Sequence, residues 1–154
     1  MPSAMPARNN GGVLIADVPE MEEVLRSCFS SQVVTYVYYF DAAVRELRVG
    51  AFGMVVIGLQ FDESRMFQLV QFVRCLPRYD NTPVVCIRGM PSILSAAARK
   101  GIRQAVLASG GDAFVDFGLA PQDVDELRQR LADVVRGQAT PAVAFDELHS
   151  SLRH

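Results

Sequence analysis

"GMVVIGLQFDESRM", Gly53 to Met66, decides how this chain is read. Met54 to Ile57 is a short, unbroken apolar run, the pattern of a strand buried on both faces. The run closes at Gly58, which has no side chain, where a carboxylate or hydroxyl would give the strand end some chemistry. Asp62 to Ser64 predicts a helix start, and Met66, Leu69, Val70 and Val73 recur at helical spacing behind it.

The same alternation extends to both sides. "VLIAD", Val13 to Asp17, is an apolar strand ending on a carboxylate. Pro19 suits a helix start, and Met21, Val24, Leu25, Cys28 and Phe29 mark one helical face. "VVTYVYYF", Val33 to Phe40, is β-branched and aromatic, hence a strand. Asp41 is placed to cap a helix with Val44 and Leu47 inward, broken by Gly50 and Gly53. After the turn-rich Leu76–Pro83, Val84 to Ile87 predicts the fourth strand. Pro91 opens a long helical stretch to about Ser109, with Leu94, Ala98, Ile102 and Ala105 on one side. Ala113 to Phe117 predicts the fifth strand. Pro121 opens the last helix, with Val124, Leu127, Leu131 and Val134 facing inward. Short apolar strands alternating with amphipathic helices predict an α/β fold, a doubly wound five-stranded parallel sheet with helices on both faces. Its site belongs beyond the carboxyl ends of the strands, where Asp17, Gly58, Arg88 and Phe117 fall.

Composition narrows the function. The 154 residues suffice for one domain, half of them are hydrophobic, and the net charge of −2 points to neither a nucleic-acid nor a membrane partner. No apolar run approaches the roughly 20 residues of a membrane span, and "MPSAMPARNNGG" has no signal-peptide core. Cys28, Cys75 and Cys86 lack metal-ligand spacing and read as buried, reduced thiols, so a cytoplasmic location is expected. His149 and His154 both lie in the tail, which removes histidine chemistry from the domain. The expected organisation is a disordered lead-in over 1–11, a domain over 12–136, and a tail over 137–154 that is a short helix or disordered. That tail is too short to form a DNA-binding output domain.

Four segments together resemble the receiver domain of two-component response regulators, a flavodoxin-like fold with strand order 2-1-3-4-5. They are "VLIAD", "GMVVIGL", "TPVVCIRG" and "GGDAFVDFG", and the resemblance spans roughly Gly12 to Arg136. In that family a carboxylate attacks a phosphoryl group. The opposed negative charges are balanced by a metal held on acidic residues and by a lysine, and a hydroxyl senses the phosphate. The resemblance puts Asp17 at the first acidic position but Val18 at the second, Gly58 at the phosphoacceptor, Arg88 at the hydroxyl and Phe117 at the lysine. The single lysine, Lys100, lies within the fourth predicted helix, so no shift of alignment restores the missing one.

The resemblance therefore implies a degenerate, non-phosphorylatable receiver. No catalytic residue, cofactor or metal is expected, and it would act in bacterial signalling through a protein partner or as a homodimer. Two alternatives stand beside it: phosphorylation at a displaced acceptor such as Asp62, and binding of a small anion through Arg88. Arg88 itself reads either as a guanidinium reaching over the crevice to Asp17 or as a solvated strand end. Asp62 and Glu63 also read as a helix-start charge pair, and Asp112 as a turn residue. Asp116 should face away from Val115 and Phe117, at the surface or beside an arginine. Tyr36, Tyr38 and Tyr39 read as ordinary strand residues or as a sticky aromatic edge. Arg99, Lys100, Arg103 and Phe114 mark the expected interaction surface.

Overall fold

The computed structural model describes residues 11–89, 94–117 and 124–136. The expectations for the lead-in, for the tail, and for Pro91 and Pro121 as helix starts lie outside these residues. Five strands form one parallel sheet in the order β2-β1-β3-β4-β5. They are β1 (Val13–Ala16), β2 (Val34–Val37), β3 (Met54–Gly58), β4 (Val84–Arg88) and β5 (Ala113–Asp116). Five helices connect or follow them: α1 (Glu22–Cys28), α2 (Phe40–Val49), α3 (Met66–Arg74), α4 (Ala96–Ser109) and α5 (Val124–Arg136).

Alternation along each strand builds two cores. Leu14, Ala16, Val55, Ile57, Val84, Cys86 and Phe114 face one way and meet Leu47 of α2, Leu69, Val70 and Val73 of α3, and Val106 of α4. Ile15, Val56, Val85, Ile87 and Val115 face the other way and meet Leu25 and Cys28 of α1 and Leu127 and Leu131 of α5. β1, β3 and β4 are buried at every position, which is why they read as unbroken apolar runs rather than alternating ones.

Four local expectations change. Asp62, Glu63 and Ser64 do not start a helix; their φ angles of 42°, 59° and 67° are left-handed. The conformation costs roughly 1–2 kcal/mol per residue. It carries the Asp62 carboxylate to the start of α2, where it accepts a 2.7 Å hydrogen bond from the Phe40 N–H. This replaces the cap expected of Asp41, since α2 begins two residues earlier with Tyr39 at its cap and no cap hydrogen bond from that side chain. On α4, Ala98 is exposed and Arg99 turns toward the sheet, so the inward face runs through Ile102 and Val106. Cys75 is exposed at the end of α3, while Cys28 and Cys86 are buried, and all three are free thiols.

Polar clamps close the amino-terminal end of the sheet. Arg74, at the end of α3, donates to the Gly110 carbonyl at 2.8 Å and to the Tyr79 carbonyl at 2.6 Å, and pairs with Asp112 at 2.9 Å. Asp112 also accepts from the Val84 N–H at 2.8 Å, so its role is to join β4 to β5. Gly110 ends α4 with φ 111°, a left-handed cap that disfavours any residue with a Cβ. Tyr79 is buried, and its hydroxyl donates to the Leu47 carbonyl at 2.7 Å and lies 3.0 Å from that of Gly50. Tyr79→Phe removes this donor from two carbonyls at the end of α2, and should lower stability by about 1–2 kcal/mol with an unchanged urea m-value.

Candidate functional site: the carboxyl ends of the strands

Register sorts the strand-end residues. Ala16 lies beside Ile57, Gly58 beside Ile87, Ile87 beside Val115, and Arg88 beside Asp116. One step beyond Ala16 and Ile57, Asp17 therefore falls beside Gly58, in the row that continues through Ile87 and Val115. Those residues face the α1/α5 layer, whereas Arg88 and Asp116 share the opposite face with Cys86 and Phe114.

On the first face the space is filled. The Asp17 carboxyl rests directly on Gly58, and a Cβ at position 58 would overlap its oxygens and its carboxyl carbon. Only 3% of Asp17 is exposed, and its Oδ1 accepts a 2.7 Å hydrogen bond from the Val18 N–H. Burial pushes its pKa up to about 7; the Val18 N–H opposes this and nearby Glu20 adds to it. The Tyr36 hydroxyl donates to the Val18 carbonyl at 2.6 Å, and burial holds that phenol well above its usual range. The Met21 side chain lies where a Cβ on Gly89 would go. Phe117 is buried among Ile87, Val115 and Leu131, under the Arg130 guanidinium 4.9 Å from its ring centroid.

On the second face Arg88 is only 1% exposed, and its Nη2 lies 3.0 Å from Asp116 Oδ1. Arg99 Nε lies 3.4 Å from Asp116 Oδ2. One carboxylate thus serves two guanidiniums.

The structure places Asp17, Gly58 and Phe117 on a single face and separates Arg88 from them. Arg88 does not reach over to Asp17, because it has the parity of Cys86, not of Ile87. Nor is it a solvated strand end or an accessible anion receptor, since it is buried against Asp116. Val18 is half-buried beside the core under α1 and α5. Asp62 is committed to the start of α2, with Arg65 3.8 Å away, rather than to the strand-end row. Phe114 is buried under α4 and contributes nothing to a surface; Lys100 is exposed beside the half-buried Arg99 and Arg103. Met21 was expected in the core, but its cover over Gly89 was not. The Arg99–Asp116 contact was also missed; the parity of Arg88 with Val84 and Cys86 was the available signal. Among the described residues, no group of three or more His, Cys, Asp or Glu side chains is arranged to hold a metal ion, and no helix is long and apolar enough to cross a membrane.

No protein-family model matches the chain, and no curated protein matches it. Solved structures similar to this chain include receiver domains. The chain is similar to the receiver domain of Francisella response regulator 1452, with 20% identity, TM-score 0.61, and coverage of 82% of this chain and 98% of that one. It is also similar to the receiver domain of a Syntrophus aciditrophicus signal transduction histidine kinase, with 18% identity, TM-score 0.62, and coverage of 82% and 91%. A Burkholderia pseudomallei response regulator, solved with a phosphorylated aspartic acid, calcium and citrate, matches at 15% identity and TM-score 0.59, covering 82% of this chain and 69% of its own. The fold is therefore that of response-regulator receiver domains.

The buried Asp17 carboxyl has a measurable signature. Its folded pKa of about 7 lies above the ordinary 3.8, so between those values the folded state holds a proton that the unfolded chain releases. Its contribution to stability is full below pH 4 and is lost as pH rises through 7. Asp17→Asn removes that loss, so its stability relative to wild type should rise by on the order of 3 kcal/mol between pH 5 and pH 8. Parallel urea titrations at the two pH values measure this, and a difference independent of pH would show that Asp17 ionises normally.

Proposed function

We propose that this chain is a receiver-like signalling module that works by binding a protein partner and not by carrying a phosphoryl group. One observation carries the reading: the position matched to the phosphoacceptor is Gly58, and the space a side chain would need there holds the Asp17 carboxyl. The chemistry argues the same way. Phosphoryl transfer to a carboxylate brings negative charges together and needs fixed positive charge beside them. Here the lysine position is the buried Phe117, the second acidic position is Val18, and the strand-end arginine lies on the other face, paired with Asp116.

The binding face in this proposal is α4. Ala96–Ser109 contains no acidic residue, and it carries the exposed Lys100 beside the half-buried Arg103, while Arg99 turns toward Asp116. Such a face suits a partner presenting carboxylates. A second copy docked α4 to α4 would set cations against cations, which favours a different protein over a symmetric pair.

Incubation with Mg²⁺ and a small phosphodonor, followed by intact mass, tests the reading. Wild type should gain no phosphate. Gly58→Asp should also stay unmodified, and should be less stable because its side chain displaces the Asp17 carboxyl. A stoichiometric, hydroxylamine-labile phosphate on the wild-type chain would overturn the proposal.

A further inference from the structure

The Arg88–Asp116–Arg99 cluster is not needed to close the sheet, since β4 and β5 are already paired through the Cys86–Phe114 and Ile87–Val115 register. It adds a link to a third element. Arg88 ends β4, Asp116 ends β5, and Arg99 lies in the first turn of α4. The carboxylate contacts lie at 3.0 Å and 3.4 Å.

The electrostatics of this corner are lopsided. Arg88 and Arg99 both lie against the Asp116 carboxylate, and the amino end of α4 adds the positive pole of a helix to the same region. Its Ser95 cap satisfies the Ala98 N–H but brings no negative charge. Asp116 thus offsets positive charge where the start of α4 approaches the buried Arg88. Without it, Arg88, Arg99 and the helix terminus repel one another in a region of weak solvent screening.

We propose that Arg88, Asp116 and Arg99 form a latch that holds the first turn of α4 against the ends of β4 and β5 and so fixes its basic face without any phosphoryl input. Its significance for signalling rests on the reading of α4 as a docking face; the latch itself does not. Arg88, matched to the hydroxyl that senses phosphate in receiver domains, then has a defined role: it anchors a helix permanently through a neighbouring carboxylate. It acts through Asp116 and is a positioning residue.

Hydrogen exchange on the full chain tests the latch. Arg99→Gln removes only the helical arm and leaves the buried Arg88–Asp116 pair intact. Amides in the first half of α4 should then exchange roughly five-fold faster, while β1 and β3 amides keep their wild-type protection. Arg88→Met combined with Asp116→Leu replaces the buried charges by apolar groups of similar size, which a core tolerates better than an orphaned charge. It should loosen the same α4 amides. Wild-type α4 exchange in Arg99→Gln, or an acceleration spread evenly over every strand, overturns the latch; if the double variant fails to fold, Arg99→Gln alone decides. The phosphodonor experiment is independent, since a phosphorylated wild type leaves the exchange result standing and a failed latch leaves Gly58 as it is.

Discussion

Everything at the functional end of this molecule depends on the covering of one parallel sheet by helices on both faces. β1, β3 and β4 are then buried at every position, and their residues alternate between two dry layers. A polar residue at a strand end inherits its layer from parity alone. Asp17 falls with Ile15 in one layer, and Arg88 falls with Cys86 in the other. Two groups of opposite charge thus end the strands of one sheet without meeting.

Each buried charge is accommodated within its own layer, and the two solutions differ. Arg88 cannot lose its charge at any ordinary pH, so burial requires a counter-ion, and β5 supplies Asp116 one register position away. Asp17 has no cation within ion-pair distance among the described residues, and its own backbone neighbour is its hydrogen-bond donor. A carboxyl has an option that a guanidinium lacks: it can take up a proton, and burial moves its pKa to about 7. Gly58 makes this possible by leaving room for the carboxyl to lie flat against β3.

Much of this was legible in the sequence. Four strands stand out as apolar runs and β2 as a β-branched, aromatic one, and Gly58, Val18 and Phe117 fall where the receiver resemblance implies charged residues. What escaped were relations between segments far apart in the chain. The Asp62 carboxylate caps α2 from 22 residues away, and only a left-handed turn at Asp62–Ser64 brings it there. No local propensity announces such a turn, because its cost is repaid outside the segment. Arg99 was read as part of a basic helical face because periodicity favoured Ala98 as the inward residue. The competing term was Asp116, whose charge outweighs the burial of one methyl group. Phe114 was misjudged for a simpler reason: its parity with Cys86 places it under α4, and composition alone does not reveal parity.

The two layers also differ in what they allow to move. In the Asp17 layer the contacts are soft: a proton, the flexible Met21 side chain against Gly89, and the Phe117 ring under Arg130. In the Arg88 layer they are stiff, because moving any one member of the Arg–Asp–Arg cluster strands charge in a region with little water. α4 reaches the Arg88 layer through Arg99, and α1 and α5 pack on the Asp17 layer. Arg88, at the end of β4, is buried and held by two oxygens of one carboxylate, at 3.0 Å and 3.1 Å. The physical cost of releasing it is the cost of exposing an unpaired buried guanidinium.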